Sequence, residues 1–464
     1  MSRRPWFAAV LVLLTAACGG TADERPFAPT APTEAMAEHR GASAADAAVR
    51  DAVMSGNAQA IAAAAALVPP GVPLPPFVES RLYAIANVAM HDALNSVRPE
   101  YERYADNAAI DREADAAVAV LTAARDAIKG AAPGAAVATD AWYTSAVAAH
   151  LGAEGFDDAV ALGERAAASI LARRADDGTA GGGVAPYTPG TAVGDYQFTF
   201  PFNTPGFDFF GTGGFADGSA WASSVTPFVV RSTAQFRAPR PYLAPNNAAA
   251  VRTRWYARDY NEVKALGCVG CTARTATQTE IAQFWVESSP AGWNRIARVV
   301  AEQQHLRAHE TARMFALLQL GEFDVYATNL ESKYHYNFWR PVTAVALADV
   351  DGNAQTASVA DWQVLTFPTP PVPDYPSAHA AAGGAAAAII ESVVQGRVRA
   401  FSTTSTSLPG VTRRFSGVVD AARENADSRV YVGYHFRHAT DVGLWQGYAV
   451  GLYVAKTSLP KRTR

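Results

Sequence analysis

Residues Ala378 to Val394 read AHAAAGGAAAAIIESVV, and this run limits the fold more than any other stretch of the chain. Alanine has the highest intrinsic helix propensity, so a helix is expected here. Gly383 and Gly384 lie in its interior, where each costs about 1 kcal/mol relative to alanine. That cost hints at another helix packed closely against them. The apolar part, Ala380 to Ile390, is too short to cross a bilayer, which takes roughly 20 residues.

Other segments share the helical period. In Arg81 to Val97, residues Leu82, Ile85, Ala89, Ala93 and Val97 recur at three- and four-residue steps and make one apolar face. Asp115 to Lys129, Gly155 to Arg174 and Val442 to Lys456 read the same way. Ile281, Phe284 and Trp285 share one side of a helix resuming at Thr279. Trp293 to Leu320 continues as one helix, with Ile296, Val300, Ala308, Ala312 and Phe315. Alternating strand patterns are few and no repeat of fixed period occurs. The expected class is all-α, built as packed helical bundles. At 464 residues the chain suffices for one large domain or two packed lobes. Its formal charge of −4 gives no sign of a nucleic-acid partner, which would announce itself as a basic excess.

The chain divides by composition. Residues 1–18 start with Arg3 and Arg4, run through the apolar Trp6 to Leu14 and end in Thr15-Ala16-Ala17-Cys18. They resemble a bacterial lipoprotein signal, which implies export, lipidation of Cys18 and a periplasmic or cell-surface location, with no other membrane attachment. Residues 19–45 suit a flexible tether. Residues 46–175 read as an N-terminal helical part, 176–278 as a loop-rich segment and 279–460 as a C-terminal helical bundle. The loop-rich segment holds Gly181 to Gly183, many prolines and the aromatic clusters Tyr196 to Phe202 and Phe207 to Phe210. Those aromatics argue for order, and such a segment could cover a site. It also holds Cys268 and Cys271, a CxxC spacing open to redox chemistry or half a zinc site. No second CxxC exists to complete a four-cysteine site, and in an oxidising compartment a local disulfide is the favoured reading.

Three segments of the last third carry the chemistry. In Lys333-Tyr-His-Tyr-Asn-Phe-Trp-Arg340-Pro341 the two cations are seven residues apart, two helical turns, which on a continuous helix puts both on one face before Pro341 ends it. Two buried cations side by side make sense only around an anion or carboxylates. In Asp374-Tyr-Pro-Ser377-Ala378-His379, Ser377 is a good N-cap. The N–H groups of the helix start it opens favour a bound anion, with His379 in the first turn. The third segment, Ser428 to Asp441, adds Arg429 and His435. Three cations, a hydroxyl, backbone N–H groups and an imidazole together suit a tetrahedral oxyanion with several negative charges.

The ordered pattern Lys-x6-Arg-Pro, Pro-Ser-x-His, Ser-Arg-x5-His is the signature shared by vanadium haloperoxidases and type 2 phosphatidic acid phosphatases. The gaps fit as well: 34 residues separate Pro341 from Pro376, and 48 separate His379 from Ser428. Tyr334 to Val345, Arg274 to Trp285 and Pro75 to Tyr104 further resemble the bacterial haloperoxidase branch. The resemblance covers roughly residues 70 to 130 and 255 to 455. It implies that His435 coordinates vanadium, and that Lys333, Arg340, Ser377, Arg429 and the N–H of Ala378 bind the vanadate oxygens. His379 would serve as acid–base group and Lys333 would polarise bound peroxide. The cofactor implied is vanadate, with phosphate able to occupy the same place. The substrates implied are hydrogen peroxide and a halide, and the family suggests a homo-oligomer, commonly a dimer.

The sequence departs from the pattern in places. Ala378 replaces the usual glycine but keeps the N–H donor. The phosphatase pattern puts Asp four residues after the final His, where this chain has Ala439; Asp441 follows two residues later. Leu330 and Val372 stand where fungal chloroperoxidases carry bulky aromatics near the halide, which weakens a chlorination reading. Glu287 and Asp374 are candidate carboxylates for balancing the site arginines. His335 reads as structural, and His438 as a group behind the site or on its halide side. Glu302-x-x-His305 with His309 suggests half of a di-iron site, but no second Glu-x-x-His occurs and an exposed helix face is the better reading. The nearest rival function is a phosphomonoesterase acting on a phosphate ester, with His435 as nucleophile and His379 protonating the leaving group. A third is an oxyanion-binding lipoprotein without turnover, against which the retention of both histidines argues.

Overall fold

The computed structural model describes residues 44–68, 74–179, 188–203, 222, 224–396 and 398–463. The leader, Cys18 and most of the tether lie outside them, as does Phe207 to Phe210. The first half holds α1 (Ala44–Ala66), α2 (Pro76–Val97), α3 (Ala116–Ala131), α4 (Ala136–Ala146) and α5 (Phe156–Arg173). The second holds α6 (Arg254–Leu266), α7 (Ala276–Phe284), α8 (Ser289–Gln303), α9 (Ala308–Tyr336), α10 (Pro341–Ala346), α11 (Ala378–Val394), α12 (Val418–Tyr431) and α13 (Arg437–Thr457). The only sheet among the described residues is a hairpin of β1 (Phe401–Thr404) and β2 (Thr412–Phe415), antiparallel with Phe401 opposite Phe415. The molecule is all-α.

The 29-residue α9 runs through the centre, with 24 of its residues buried, and packs against α1, α2, α11 and α13. It joins helices of both halves into one hydrophobic core. Ends are capped locally. Asp115 accepts from the N–H groups of Ala117 and Val118 at α3, and Thr275 makes a capping box with Gln278 at α7.

The expected close approach at Gly383 and Gly384 is found. A Cβ on Gly384 would lie 2.2 Å from the carbonyl oxygen of Leu444, and one on Gly383 would lie 3.1 Å from Trp293. The partner helix α13 answers with its own glycines: a Cβ on Gly447 would stand 1.8 Å from the Ala381 oxygen. Backbone meets backbone here, so added volume must push α11 and α13 apart. Gly447→Ala is expected to destabilise the fold by roughly 3 kcal/mol, at the upper end for overpacking, read as a lowered urea midpoint. Because Ser377 and His379 begin α11, the same contact fixes where they stand.

Four readings of the sequence are corrected. Trp293 to Leu320 is two helices: the chain turns at Gln304 to Arg307, with His305 in the left-handed region at φ 53°. Glu302, His305 and His309 therefore share no helix face, and His309 is buried with its Nε2 donating to the Arg98 oxygen at 2.6 Å. Lys333 and Arg340 also belong to different elements. Asn337, at φ 51° and ψ 42°, caps the end of α9, and Pro341 begins α10 rather than ending a helix. Finally, the loop-rich segment contains α6, where Tyr256, Tyr260 and Val263 bury one face. Cys268 and Cys271 form the expected disulfide just after it.

Candidate active site

The turn at Asn337 places two cations at one pocket from different directions. Lys333, in the last turn of α9, donates from Nζ to the carbonyls of Pro373 (2.7 Å) and Asp374 (3.0 Å). Arg340, the N-cap residue of α10, donates from Nε to the Val372 carbonyl (2.7 Å) and from Nη1 to the Tyr434 carbonyl (2.9 Å). Both are almost wholly buried. Arg429, in the last turn of α12, donates from Nη1 to the Trp285 carbonyl at 2.9 Å. Its buried Nε has no hydrogen-bond partner among the described residues.

The imidazole of His435 can be assigned a tautomer from its neighbours. Arg340 Nη1 stands 3.0 Å from Nε2, and a guanidinium only donates. Nε2 therefore bears the lone pair, and Nδ1–H donates to Asp374 Oδ1 at 2.9 Å. Asp374 is thus more than a counter-charge for the arginines: it orients His435. Asp441 lies on α13 near Arg437 and Arg258. Burial pushes the Asp374 carboxyl up to about 7, while Arg340 and Lys333 hold it down.

Ser377 caps α11, its Oγ facing the Ala380 N–H and its own N–H donating to the Ala439 carbonyl at 2.9 Å. Ala378 and His379 follow in the first turn, so the N–H groups of the helix start open beside the cations. His379 donates from Nε2 to the Glu287 carbonyl at 3.3 Å. Burial first, then Arg429, Arg340 and Lys333, hold the His379 imidazole well below its ordinary value. Burial, then Arg340, Lys333 and Arg429, do the same to His435. Both rings are therefore neutral while the pocket's positive charge is uncompensated. Burial and Arg340 likewise depress Lys333, and burial brings Arg429 down to about 10, where it stays charged at neutral pH.

The donor set has the chemistry of an oxyanion site. Two arginines and a lysine face one carboxylate, the Arg429 Nε has no partner among the described residues, and one imidazole lone pair sits among them. Unpaired buried cations repel one another and are costly unless an anion compensates them. The pocket therefore fits a compact, multiply charged anion that takes one bond from a nitrogen lone pair.

Other expected residues fall elsewhere. The Glu287 side chain pairs with Arg295 and accepts from Thr406, so only its carbonyl serves the site. His335 is exposed and packs edge-on to Tyr336. His438 is sandwiched between Tyr242 and Tyr375, with ring centroids at 4.5 and 5.2 Å, and its Nε2 accepts from the Tyr242 N–H. Leu330 and Val372 are buried in the hydrophobic core. Sequence reasoning missed the carbonyls of Trp285, Val372, Pro373 and Tyr434, which hold the cations and leave no signal in side-chain chemistry.

Residues 313–460 match the family model described as the vanadium chloroperoxidase (VCPO) second helical-bundle domain. The vanadium chloroperoxidase of Curvularia inaequalis is 25% identical over 227 residues, covering 36% of this chain and 37% of that protein. The match thus spans well under half of that relative. Among solved structures, the first bacterial vanadium-dependent iodoperoxidase aligns with a TM-score of 0.68 at 23% identity, covering 90% of this chain and 97% of that one. The apo form of a bacterial vanadium-dependent chloroperoxidase aligns with a TM-score of 0.64 at 17% identity, covering 84% and 95%. At these identities the structural likeness establishes the fold.

Proposed function

We propose that the chain is a member of the vanadium haloperoxidase superfamily whose pocket holds vanadate and oxidises a halide with hydrogen peroxide to a hypohalous acid. The observation that carries the reading is the His435 Nε2 lone pair, oriented by Asp374 and surrounded by Lys333, Arg340 and Arg429. Those residues would hold the anion: His435 through Nε2, the three cations, the Ser377 hydroxyl and the Ala378 N–H through its oxygens. Vanadate, when bound, supplies a Lewis-acidic centre that activates peroxide without changing its own oxidation state.

The protein's own groups do the rest. Lys333 and the arginines compensate negative charge on the oxygens and on the reacting peroxide. His379, neutral and fixed by the Glu287 carbonyl, takes a proton from an incoming oxygen nucleophile and returns it to the leaving oxygen. Burial of the site keeps these charges out of bulk water and so strengthens their effect.

The same lone pair on His435 also suits attack on a phosphate ester, with His379 protonating the leaving group. Assays of purified protein with and without orthovanadate separate the two. Vanadate-dependent bromination of a phenolic dye is expected. Phosphate ester hydrolysis that vanadate inhibits, without bromination, would make the protein a phosphatase. Export as a lipoprotein anchored at Cys18 belongs to the same proposal, supported by residues 1–18 and by a disulfide suited to an oxidising compartment. Cys18→Ala is expected to release the protein from membranes; continued membrane association would refute the anchor.

A further inference from the structure

Segment 236–243 belongs to the loop-rich part of the chain, yet it touches each of the three stretches that carry the pocket. The Ala238 N–H donates to the Ser332 hydroxyl at 3.1 Å, and Ser332 precedes Lys333. The Ala238 carbonyl accepts from the hydroxyl of Tyr336, the last residue of α9, at 2.5 Å. The Pro239 carbonyl accepts from the Tyr375 hydroxyl at 2.7 Å, and Tyr375 follows Asp374. The Tyr242 N–H donates to His438 Nε2 at 3.0 Å, in the first turn of α13 and three residues past His435. The Phe236 carbonyl accepts from Gln446, further along α13, at 3.0 Å.

The segment ends in a conformation its residues do not favour. Tyr242 lies at φ 52° and ψ 21° and Leu243 at φ 56°, the left-handed region that bulky side chains rarely adopt. Two such residues in succession persist only where their surroundings hold them, and such strain gathers at functional sites. What holds Tyr242 is His438. The imidazole accepts the Tyr242 N–H, which requires a lone pair on Nε2 and leaves the proton on Nδ1. Burial, then Arg258, pushes the ring down to about 4, so it is neutral and keeps that lone pair at neutral pH. Asp259 on α6 ties the same two residues a second time. It accepts from the Tyr242 hydroxyl at 3.3 Å and from the His438 N–H at 2.9 Å.

The other face of the His438 ring lies against Tyr375, with planes 13° from parallel. One imidazole thus stands between the start of α13, which follows His435, and the residue after Asp374. Those two stretches carry the 2.9 Å hydrogen bond that orients His435. A hydrogen bond weakens steeply with misalignment, so whatever spaces the two backbones sets the aim of the Nε2 lone pair on His435. A phenylalanine would fill the gap between the tyrosines, but the strained turn also needs an acceptor.

We propose that His438 is a positioning residue of the oxyanion pocket: held by Tyr242 on one face and Tyr375 on the other, it keeps His435 and Asp374 in register. It acts through His435 and not at the reacting atoms. This rests on the reading that His435 bonds the central atom of an oxyanion, whether the reaction there is halide oxidation or phosphate ester hydrolysis.

Two variants test it. His438→Ala removes ring and acceptor, whereas His438→Phe keeps a flat ring and removes the acceptor alone, so packing survives if the smaller side chain does not fold. Calorimetric titration is expected to show vanadate affinity lowered about tenfold or more in His438→Ala, lowered less in His438→Phe, and phosphate affinity held in both. A purely structural defect would weaken both anions alike, and that result would overturn the proposal. NMR of histidine-labelled, anion-free protein gives a readout independent of vanadate. A slowly exchanging, downfield His435 Nδ1–H signal is expected in the wild type, broadened or lost in both variants. A folded His438→Phe protein with wild-type vanadate affinity and an unchanged His435 signal would also overturn the proposal. A wild type that binds no vanadate would count against the proposed function, and the NMR comparison would then decide the positioning role by itself.

Discussion

His435→Ala is expected to lower vanadate-dependent halide oxidation by about 10³-fold or more, the scale seen when one member of a catalytic unit is removed. The loss has two physical causes. The variant has no nitrogen lone pair to bond the central atom, so the anion is left to charge and hydrogen bonds alone. It also leaves Asp374 buried without its Nδ1–H donor, which costs about 1 to 3 kcal/mol of stability. Lys333, Arg340 and Arg429 remain, so weak anion binding should persist and the fold should survive. Steady-state rates measured at saturating vanadate, beside a urea melt of the same sample, separate loss of chemistry from loss of structure. A variant with a rate near that of the wild type would remove His435 from the site.

Asp374→Asn is the second large effect, and its sign is informative. Removing the carboxylate makes the pocket more positive, so general electrostatics alone predicts tighter anion binding. The orientation role predicts the opposite for vanadate. Without the charged acceptor on Nδ1, the imidazole is less basic and its tautomer less firmly fixed. Loss of such a supporting carboxylate typically weakens metal binding by about 10- to 100-fold. Phosphate, held without a bond to nitrogen, is expected to bind as well as before or better. Calorimetric titration of both anions into wild type and variant reads the difference. Parallel changes for the two anions would show that Asp374 acts only through its charge.

The chemistry was more legible in the sequence than the geometry. The identities and order of Lys333, Arg340, Ser377, His379, Arg429 and His435 were plain, because few functions other than oxyanion binding need those residue types in that sequence. How Lys333 and Arg340 meet was not, since a two-turn spacing reads equally as one helix face. Asn337 and Pro341 decide the matter, as Asn tolerates the left-handed cap and Pro suits a first helical position. The Asp374–His435 pair spans 61 residues, and nothing in one sequence couples them. The carbonyls that hold the cations are invisible for a simpler reason: every residue has one. Helix α6 escaped notice because Arg254, Arg258, Asp259, Asn261 and Glu262 mask its narrow apolar stripe. The hairpin at residues 401–415 did so because its strands are only four residues each. By contrast, the glycines of α11 were a sound guide, since only close packing explains two of them in a helix interior.

The most direct test of the central claim is X-ray absorption at the vanadium edge on the purified protein loaded with orthovanadate. One nitrogen in an otherwise oxygen shell, lost in His435→Ala, is the result this account predicts. An all-oxygen shell, or a nitrogen signal unchanged in the variant, would contradict it.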